Sequence, residues 1–132
     1  MRAHLAVPRV PERLRRRLER ACEGPLPALL PPRPPASLTH GDLWSANVIQ
    51  GRWLVDPAVS YVDRELELAY MQLSNSLPAE LLAAYLEAWP PDPGYERRRP
   101  ALQLHKFLNN LRHFGPDRYV PRIEAVLDGY GW

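Results

Sequence analysis

Apolar residues recur at helical spacing through most of the chain beyond residue 60. In DRELELAYMQLS (63–74), Leu66, Ala69, Tyr70 and Leu73 share one face, which predicts an amphipathic helix. The same periodicity predicts three further helices, in PAELLAAYLEAW (78–89), RRRPALQLHKFLNNLRHF (97–114) and DRYVPRIEAVLDGY (117–130). This part of the chain is therefore expected to be mainly helical.

Capping residues and prolines indicate where these helices begin and end. Ser76 is a favoured N-cap for a helix that has Pro78 in its first turn. Gly115 is typical of a helix C-terminus, and Pro121 has to lie near the start of the last helix. The pattern thus predicts separate helices joined by short breaks.

The first 37 residues combine a short helical pattern with a proline-rich segment. PERLRRRLERAC (11–22) begins at a proline, and Leu14, Leu18 and Ala21 form its narrow apolar face. PLPALLPPRPP (25–35) then carries six prolines in eleven residues. So many prolines exclude a regular helix and predict an extended connector.

Two short apolar runs between residues 48 and 56 have the composition of β-strands. VIQ (48–50) and RWLVD (52–56) are too short for helices and contain β-branched and aromatic residues. A turn at Gly51 would join them into a hairpin. With 132 residues, the chain is expected to form one domain that is mainly α and carries this single hairpin.

Composition and charge narrow the class of protein. Apolar residues make up 45% of the chain and charged residues 24%, as in an ordinary globular protein. The first helix carries Arg13, Arg15, Arg16, Arg17 and Arg20, which fit either a nucleic-acid patch or a solvated helix face. The formal net charge of only +2 favours the solvated face, so no nucleic-acid partner is expected.

Cysteine content and hydropathy indicate the compartment. A single cysteine, Cys22, rules out an internal disulfide and fits a reducing cytoplasm, and no His pattern near it suggests a nucleophile. No apolar run approaches about 18 residues, and the N-terminus lacks the apolar stretch of a signal peptide. A cytoplasmic protein without a membrane partner is the expectation.

The residues with chemical potential lie in the loop before the hairpin and at its end. His40, Asp42 and Asn47 occupy one connecting segment, and hairpin pairing would bring Asp56 beside Asn47. Carboxylate and amide oxygens that converge in this way suit a hard divalent cation. Phosphoryl transfer needs such a cation together with a carboxylate that accepts a proton. Asp-x-x-x-x-Asn followed by a hairpin and Asp is also the layout of the protein-kinase catalytic loop.

HGDLWSANV (40–48), VDPA (55–58) and DRELELA (63–69) resemble the signature of the fructosamine kinase family. The resemblance extends through AAYLEAWPPDPGYERRRPALQL (83–104) and LNNLRHFG (108–115). This family is related to the aminoglycoside phosphotransferases within the protein-kinase-like fold. The resemblance implies a helical C-terminal lobe, spanning residues 1–132 as one domain, with a short β-hairpin that carries the catalytic loop.

The resemblance also implies roles for individual residues. Asp42 matches the catalytic base, and Asn47 and Asp56 match the residues that hold Mg²⁺ against the phosphates of ATP. The implied substrate is a fructosamine, ketosamine or related sugar-amine. Structural roles are expected for four others: loop bracing for His40, loop packing or a substrate wall for Trp44, and capping or bracing for Asp63 and Glu67. Asn109 and His113, four apart on one predicted helix, either face the substrate cleft or form hydrogen bonds at the edge of the core.

The family's N-terminal nucleotide-binding lobe has no counterpart in the sequence. Residues 1–37 contain one glycine, Gly24, and no lysine, whereas that lobe supplies a glycine-rich loop and a lysine. No nucleotide-binding residue is therefore assigned. Two hypotheses stay open: a kinase completed by a separate N-terminal lobe chain, or a truncated remnant that acts as a binding module. The surface beneath an absent lobe would be apolar, so a homodimer that covers it is expected.

Overall fold

The computed structural model describes residues 10–32, 34–74 and 76–132. These residues form six α-helices, four short strands and one short 3-10 helix, so the expectation of a mainly helical chain is confirmed. The chain divides into two compact units, one made of Met1–Pro32 with Pro100–Trp132 and the other of Arg33–Arg99. Within the described residues no helix is both long and apolar enough to cross a membrane.

The first unit is helical. It contains α1 (Glu12–Glu23), α2 (Pro25–Leu29), most of α5 (Tyr95–Phe114) and α6 (Pro116–Tyr130). The apolar face predicted for α1 is buried, as are the side chains at helical spacing on α6: Leu14, Leu18, Ala21, Tyr119, Ile123 and Leu127. Burial of one stripe per helix is the main source of stability for such an arrangement.

The arginines of α1 follow the solvated-face interpretation in large part. Arg13, Arg16 and Arg20 are exposed, and Arg16 pairs with Glu12 one turn earlier at 2.9 Å. Arg17 is half-buried and donates hydrogen bonds to Asp128 and to the backbone carbonyl of Trp132. That arginine therefore ties α1 to the end of α6.

The prediction of an extended connector over 25–35 was wrong for its first half. Pro25–Leu29 form the short helix α2, and Leu30 returns the backbone to an extended conformation. Pro25 and Pro27 lie in the first turn of this helix, where backbone N–H groups have no intrahelical partner. Proline is tolerated there because no helical hydrogen bond is lost.

The second unit contains both sheets. The predicted hairpin is present: β2 (Val48–Ile49) pairs with β3 (Trp53–Leu54), antiparallel, in the register Val48↔Leu54 and Ile49↔Trp53. A second antiparallel pair, which the sequence did not reveal, joins β1 (Ala36–Thr39) to β4 (Ser60–Asp63). Along the chain, β1 and β4 flank residues 40–59, a segment that contains the hairpin and the predicted residues Asp42, Asn47 and Asp56.

Two helices, α3 (Arg64–Ser74) and α4 (Ala79–Ala88), follow the sheets in this unit. The prediction of Ser76 as N-cap was wrong, since α4 begins after Pro78 and has no side-chain cap. Proline disfavours helical conformation in the residue before it, which prevents a start at Leu77. The Ser76 hydroxyl accepts a hydrogen bond from the Ser45 N–H at 3.2 Å instead.

Candidate active site

The carboxylate of Asp42 is held through both oxygens. It lies half-buried in the loop between β1 and the 3-10 helix Ser45–Asn47. Tyr70 O–H donates to Oδ1 at 3.1 Å, and Asn47 Nδ2 donates to Oδ2 at 3.3 Å. Asn47 Nδ2 also donates to the Asp42 backbone carbonyl at 2.8 Å. A carboxylate that is fixed and still partly open to solvent is suited to accept a proton from a bound hydroxyl.

His40 braces the loop as predicted. Its Nδ1 accepts the Asp42 N–H at 3.3 Å, and its Nε2 lies 2.9 Å from the carbonyl of Val55. A peptide N–H only donates and a carbonyl only accepts, so these partners assign the neutral tautomer with the proton on Nε2. The ring therefore joins the Asp42 loop to the residue before Asp56.

Gly41 is required by its conformation and by its surroundings. Its φ is +79°, and a Cβ there would lie 2.2 Å from the carbonyl oxygen of Ala58. Only glycine combines this backbone conformation with such a close approach. The Gly41 N–H donates to Glu67 Oε2 at 2.8 Å, which is the bracing role expected for Glu67. The other carboxylate oxygen of Glu67 is buried and has no hydrogen-bond partner within the part of the chain that the structure describes.

Asn47 and Asp56 approach each other through the hairpin. The Val55 N–H donates to the Asn47 carbonyl at 3.1 Å, which continues the pairing of Val48 with Leu54. Asp56 follows directly, is exposed, and adopts a left-handed conformation with φ 51°. Aspartate tolerates that conformation better than most residues. At the level of the backbone, the structure thus brings these two residues together as the sequence predicted.

The donor set at this end of the hairpin fits Mg²⁺. The side-chain nitrogen of Asn47 is directed at Asp42, so Oδ1 is the amide atom left to face a cation. An amide oxygen and a carboxylate are hard ligands of the kind that Mg²⁺ accepts. The described residues contain no group of three or more His, Cys, Asp or Glu that could hold a metal ion. Phosphate or water oxygens would have to complete the shell.

Three other residues named in the sequence analysis, Asp63, Trp44 and Cys22, have simpler surroundings. Asp63 Oδ1 accepts the Glu65 N–H at 2.9 Å and caps α3, and burial raises the pKa of the Asp63 carboxyl. Trp44, expected mainly to pack within the loop, is 41% exposed, and neighbouring Leu43 is buried instead. Cys22, the single cysteine of the chain, is half-buried.

The predicted pair on the long helix lies in the first compact unit, away in sequence from the residues described above. Asn109 is half-buried and His113 is exposed on α5. The ring of His113 lies 6.3 Å from that of Phe114. A role in a substrate cleft stays a prediction for both residues.

Sequence reasoning missed the role of Tyr70, which it placed only on the apolar face of α3. One signal was available: Asp63, Glu67 and Tyr70 are spaced four and three apart, so the last two share a helix face. Polar atoms repeated along one face indicate that something polar packs against it. In the structure that neighbour is the Gly41–Asp42 loop.

A buried ion pair anchors α3 and was also missed. Arg98 donates to Glu65 from Nε at 2.9 Å and from Nη2 at 2.8 Å, and both side chains are almost fully buried. Glu65 also accepts the Asp92 N–H at 3.1 Å, and Arg98 donates to the Pro93 carbonyl at 2.9 Å. The hydrogen bond with Glu65 raises the pKa of Arg98 further. This network fixes the start of the helix that carries Glu67 and Tyr70.

The chain is similar to known proteins in sequence and in fold. The family model for fructosamine kinase matches residues 14–130, which is nearly the whole chain. The chain belongs to the fructosamine kinase family. The resemblance stated from the motifs is thereby confirmed at the level of the family.

Most of the relatives of this chain within the fructosamine kinase family are longer proteins. A probable ketoamine kinase of Enterococcus faecium is 38% identical over 116 residues, which cover 85% of this chain and 40% of the relative. A probable ketoamine kinase of Klebsiella pneumoniae is 34% identical over 73% of this chain and 80% of its own length. The crystal structure of a candidate fructosamine-3-kinase from Thermobifida fusca superposes with a TM-score of 0.81 at 26% identity, over 99% of this chain and 46% of that one.

Proposed function

We propose that the chain is the C-terminal lobe, folded as one domain, of an ATP-dependent kinase that phosphorylates a hydroxyl of a fructosamine or related ketoamine. Family membership supports the class of reaction. The observation that carries the proposal is the Asp42 carboxylate, fixed by Tyr70 and Asn47 in a loop directly before the hairpin that ends near Asp56.

In the proposed reaction Asp42 is the general base. The substrate oxygen forms a bond to the γ-phosphorus, its proton passes to the Asp42 carboxylate, and the bond between the γ-phosphorus and the ADP oxygen breaks. Asn47 Oδ1 and the Asp56 carboxylate would hold Mg²⁺, which neutralises phosphate charge when it is bound. His40 and Gly41 hold the loop so that the base does not have to be ordered at each turnover.

The proposed partner is a polypeptide that supplies the nucleotide-binding lobe, because the Enterococcus and Thermobifida relatives extend well beyond their match to this chain. The second unit exposes two apolar cross-strand pairs, Leu38 with Tyr61 and Ile49 with Trp53. We propose that the lobe covers this surface, and that two copies of the chain pair through it when the lobe is not supplied. A cytoplasmic location is proposed from the single cysteine.

The proposal is tested by replacing the base. The chain is incubated with ATP, Mg²⁺ and a fructosamine, alone and together with the part of the Enterococcus faecium relative that lies outside the match. Asp42→Asn keeps the size of the side chain and removes the proton acceptor, so turnover should fall by about 10²–10⁴-fold. Asp117→Asn, an exposed aspartate on α6, is the matched control and should retain turnover.

Two outcomes of that assay contradict the proposal. Near-normal turnover in Asp42→Asn would remove Asp42 from the role of base. No phosphorylated product in any preparation would favour the alternative of a non-catalytic binding module. Asp56→Ala tests the metal role separately: higher Mg²⁺ should partly restore its turnover but should not restore that of Asp42→Asn.

A further inference from the structure

α3 fixes two consecutive residues of the Asp42 loop. Glu67 accepts the Gly41 N–H at 2.8 Å, and the Tyr70 hydroxyl donates to Asp42 Oδ1 at 3.1 Å. These two residues of α3 are three apart and lie on one face of the helix. One rigid element therefore sets both the backbone of the loop and the orientation of the Asp42 carboxylate.

The two oxygens of that carboxylate are held by different side chains. Oδ1 receives the Tyr70 hydroxyl at 3.1 Å. Oδ2 receives Asn47 Nδ2 at 3.3 Å, but the same nitrogen makes its shorter bond, 2.8 Å, to the Asp42 carbonyl. Of these two contacts, the one from Asn47 is shared with a backbone carbonyl, whereas the one from Tyr70 comes from the helix that also holds Gly41.

We infer that Tyr70 is a positioning residue, whose hydroxyl orients the Asp42 carboxylate so that the carboxylate can take the proton of the substrate hydroxyl. The inference rests on the proposed function and adds a residue to it. Tyr70 keeps its own proton throughout, since the proton that moves comes from the substrate. Without the phenol the carboxylate loses one of the hydrogen bonds that orient it, and the fraction of time in the reactive geometry falls.

Tyr70→Phe removes the hydroxyl and keeps the ring. In whichever preparation shows turnover, the chain alone or with the added lobe, kcat of this variant should fall by about 10–100-fold, as is usual when a residue that orients a functional group is lost. KM should change little. Tyr95→Phe is the matched control. The Tyr95 hydroxyl donates to Gln72, which lies on α3 like Tyr70. In the described contacts it does not donate to Asp42, so kcat should be retained in this variant.

A second background shows whether Tyr70 acts through Asp42. In Asp42→Asn, the further change Tyr70→Phe should cause little additional loss of turnover, because there is no longer a carboxylate to orient. An equal fold-loss in both backgrounds would overturn the inference, as would a rise in KM with kcat unchanged. Retained turnover in Asp42→Asn alone would instead overturn the proposed function.

Thermal unfolding of the wild type, Tyr70→Phe, Asp42→Ala and the corresponding double variant gives a readout that needs no activity. Alanine is used at position 42 because the amide oxygen of asparagine could still accept the Tyr70 hydroxyl. If the hydroxyl bonds to the carboxylate, the fall in Tm for the double variant should be smaller than the sum of the two single falls. Additive shifts would show that the contact contributes nothing and would overturn the inference. If no preparation phosphorylates a ketoamine, the proposed function fails, and this unfolding cycle alone decides whether Tyr70 holds Asp42.

Discussion

At the scale of single residues, the loop that carries Asp42 is fixed by contacts that few other residue types could make. His40 joins two backbone segments through both ring nitrogens, and Gly41 lets its backbone approach Ala58 while donating to Glu67. The Nδ1 contact of His40 and the Glu67 contact of Gly41 hold the backbone beside Asp42, and the Tyr70 and Asn47 side chains hold its carboxylate. This explains why a half-buried aspartate has one defined orientation.

Gly41→Ala should destabilise the protein by more than backbone strain alone. The positive φ would strain alanine by about 1–3 kcal/mol, and the new Cβ would also collide with the Ala58 carbonyl. Gly51→Ala is the matched control, because φ there is +64° and a Cβ meets no atom within 4 Å. Urea unfolding of both variants measures the difference. Equal free-energy losses would show that the approach to Ala58 is unimportant.

The residues proposed for the site are predictions from the sequence, and one partner that holds Asp42 was missed. Asp42, Asn47 and Asp56 stand in a spacing that has chemical meaning, and the hairpin follows from short β-branched runs around Gly51. Tyr70 carries only the weaker signal that it shares a helix face with Glu67. Periodicity places a residue on a helix face, but it does not say whether that face meets apolar atoms or a loop.

At the scale of elements, α3 is the part of the second unit on which the loop depends. Asp63 caps its first turn, Glu65 anchors it through Arg98, and Glu67 and Tyr70 contact the loop. Side chains one after another along this helix thus have separate structural tasks. A change that shifts α3 should therefore disturb the Asp42 carboxylate without touching it.

Arg98→Met tests how strongly the helix is anchored. It leaves the Glu65 carboxylate buried, 3% exposed, with no cationic partner, and removal of one member of such a pair costs about 3–5 kcal/mol. Arg99→Met, the next residue, breaks an exposed pair with Glu96 and should change stability by less than about 1 kcal/mol. Denaturant unfolding distinguishes the two, and equal effects would refute the anchoring role.

Each element that the sequence analysis missed was missed for its own physical reason. β1 pairs with β4 across more than twenty residues, as in Thr39↔Ser60, and no local pattern in ASLT (36–39) reveals that partner. α2 escaped because its prolines were counted without regard to position, although a first helical turn accepts them. Helices with long apolar periods, such as α5 and α6, were found to within two residues at each end.

At the scale of the whole molecule, the notable surface feature is a set of large apolar side chains that are exposed on the paired strands of the second unit. Leu38 and Tyr61 are 63% and 73% exposed, and Trp53 on the hairpin is 65% exposed. Large exposed apolar side chains grouped on paired strands mark surfaces that bind other proteins. The relatives from Enterococcus and Thermobifida possess additional chain, and this chain corresponds to 40% and 46% of them.

Self-association should therefore depend on the exposed pairs of the second unit. We expect the chain alone to sediment as a dimer, and the double change Tyr61→Ser and Trp53→Ser to shift it towards the monomer, because both remove apolar area from the contact. Phe114→Ser is the control, since that side chain is 70% exposed but lies on α5 in the other unit.

Under the proposal made above, adding the remaining part of the Enterococcus faecium relative should separate the two copies of the dimer, because the added lobe and the second copy would cover the same exposed pairs. Sedimentation velocity with and without that added polypeptide measures this competition. A clean monomer for the chain alone would contradict the prediction. Persistence of the dimer in the Tyr61 and Trp53 variant would place the contact elsewhere, and a dimer that binds the added lobe without dissociating would show that the two partners use different faces.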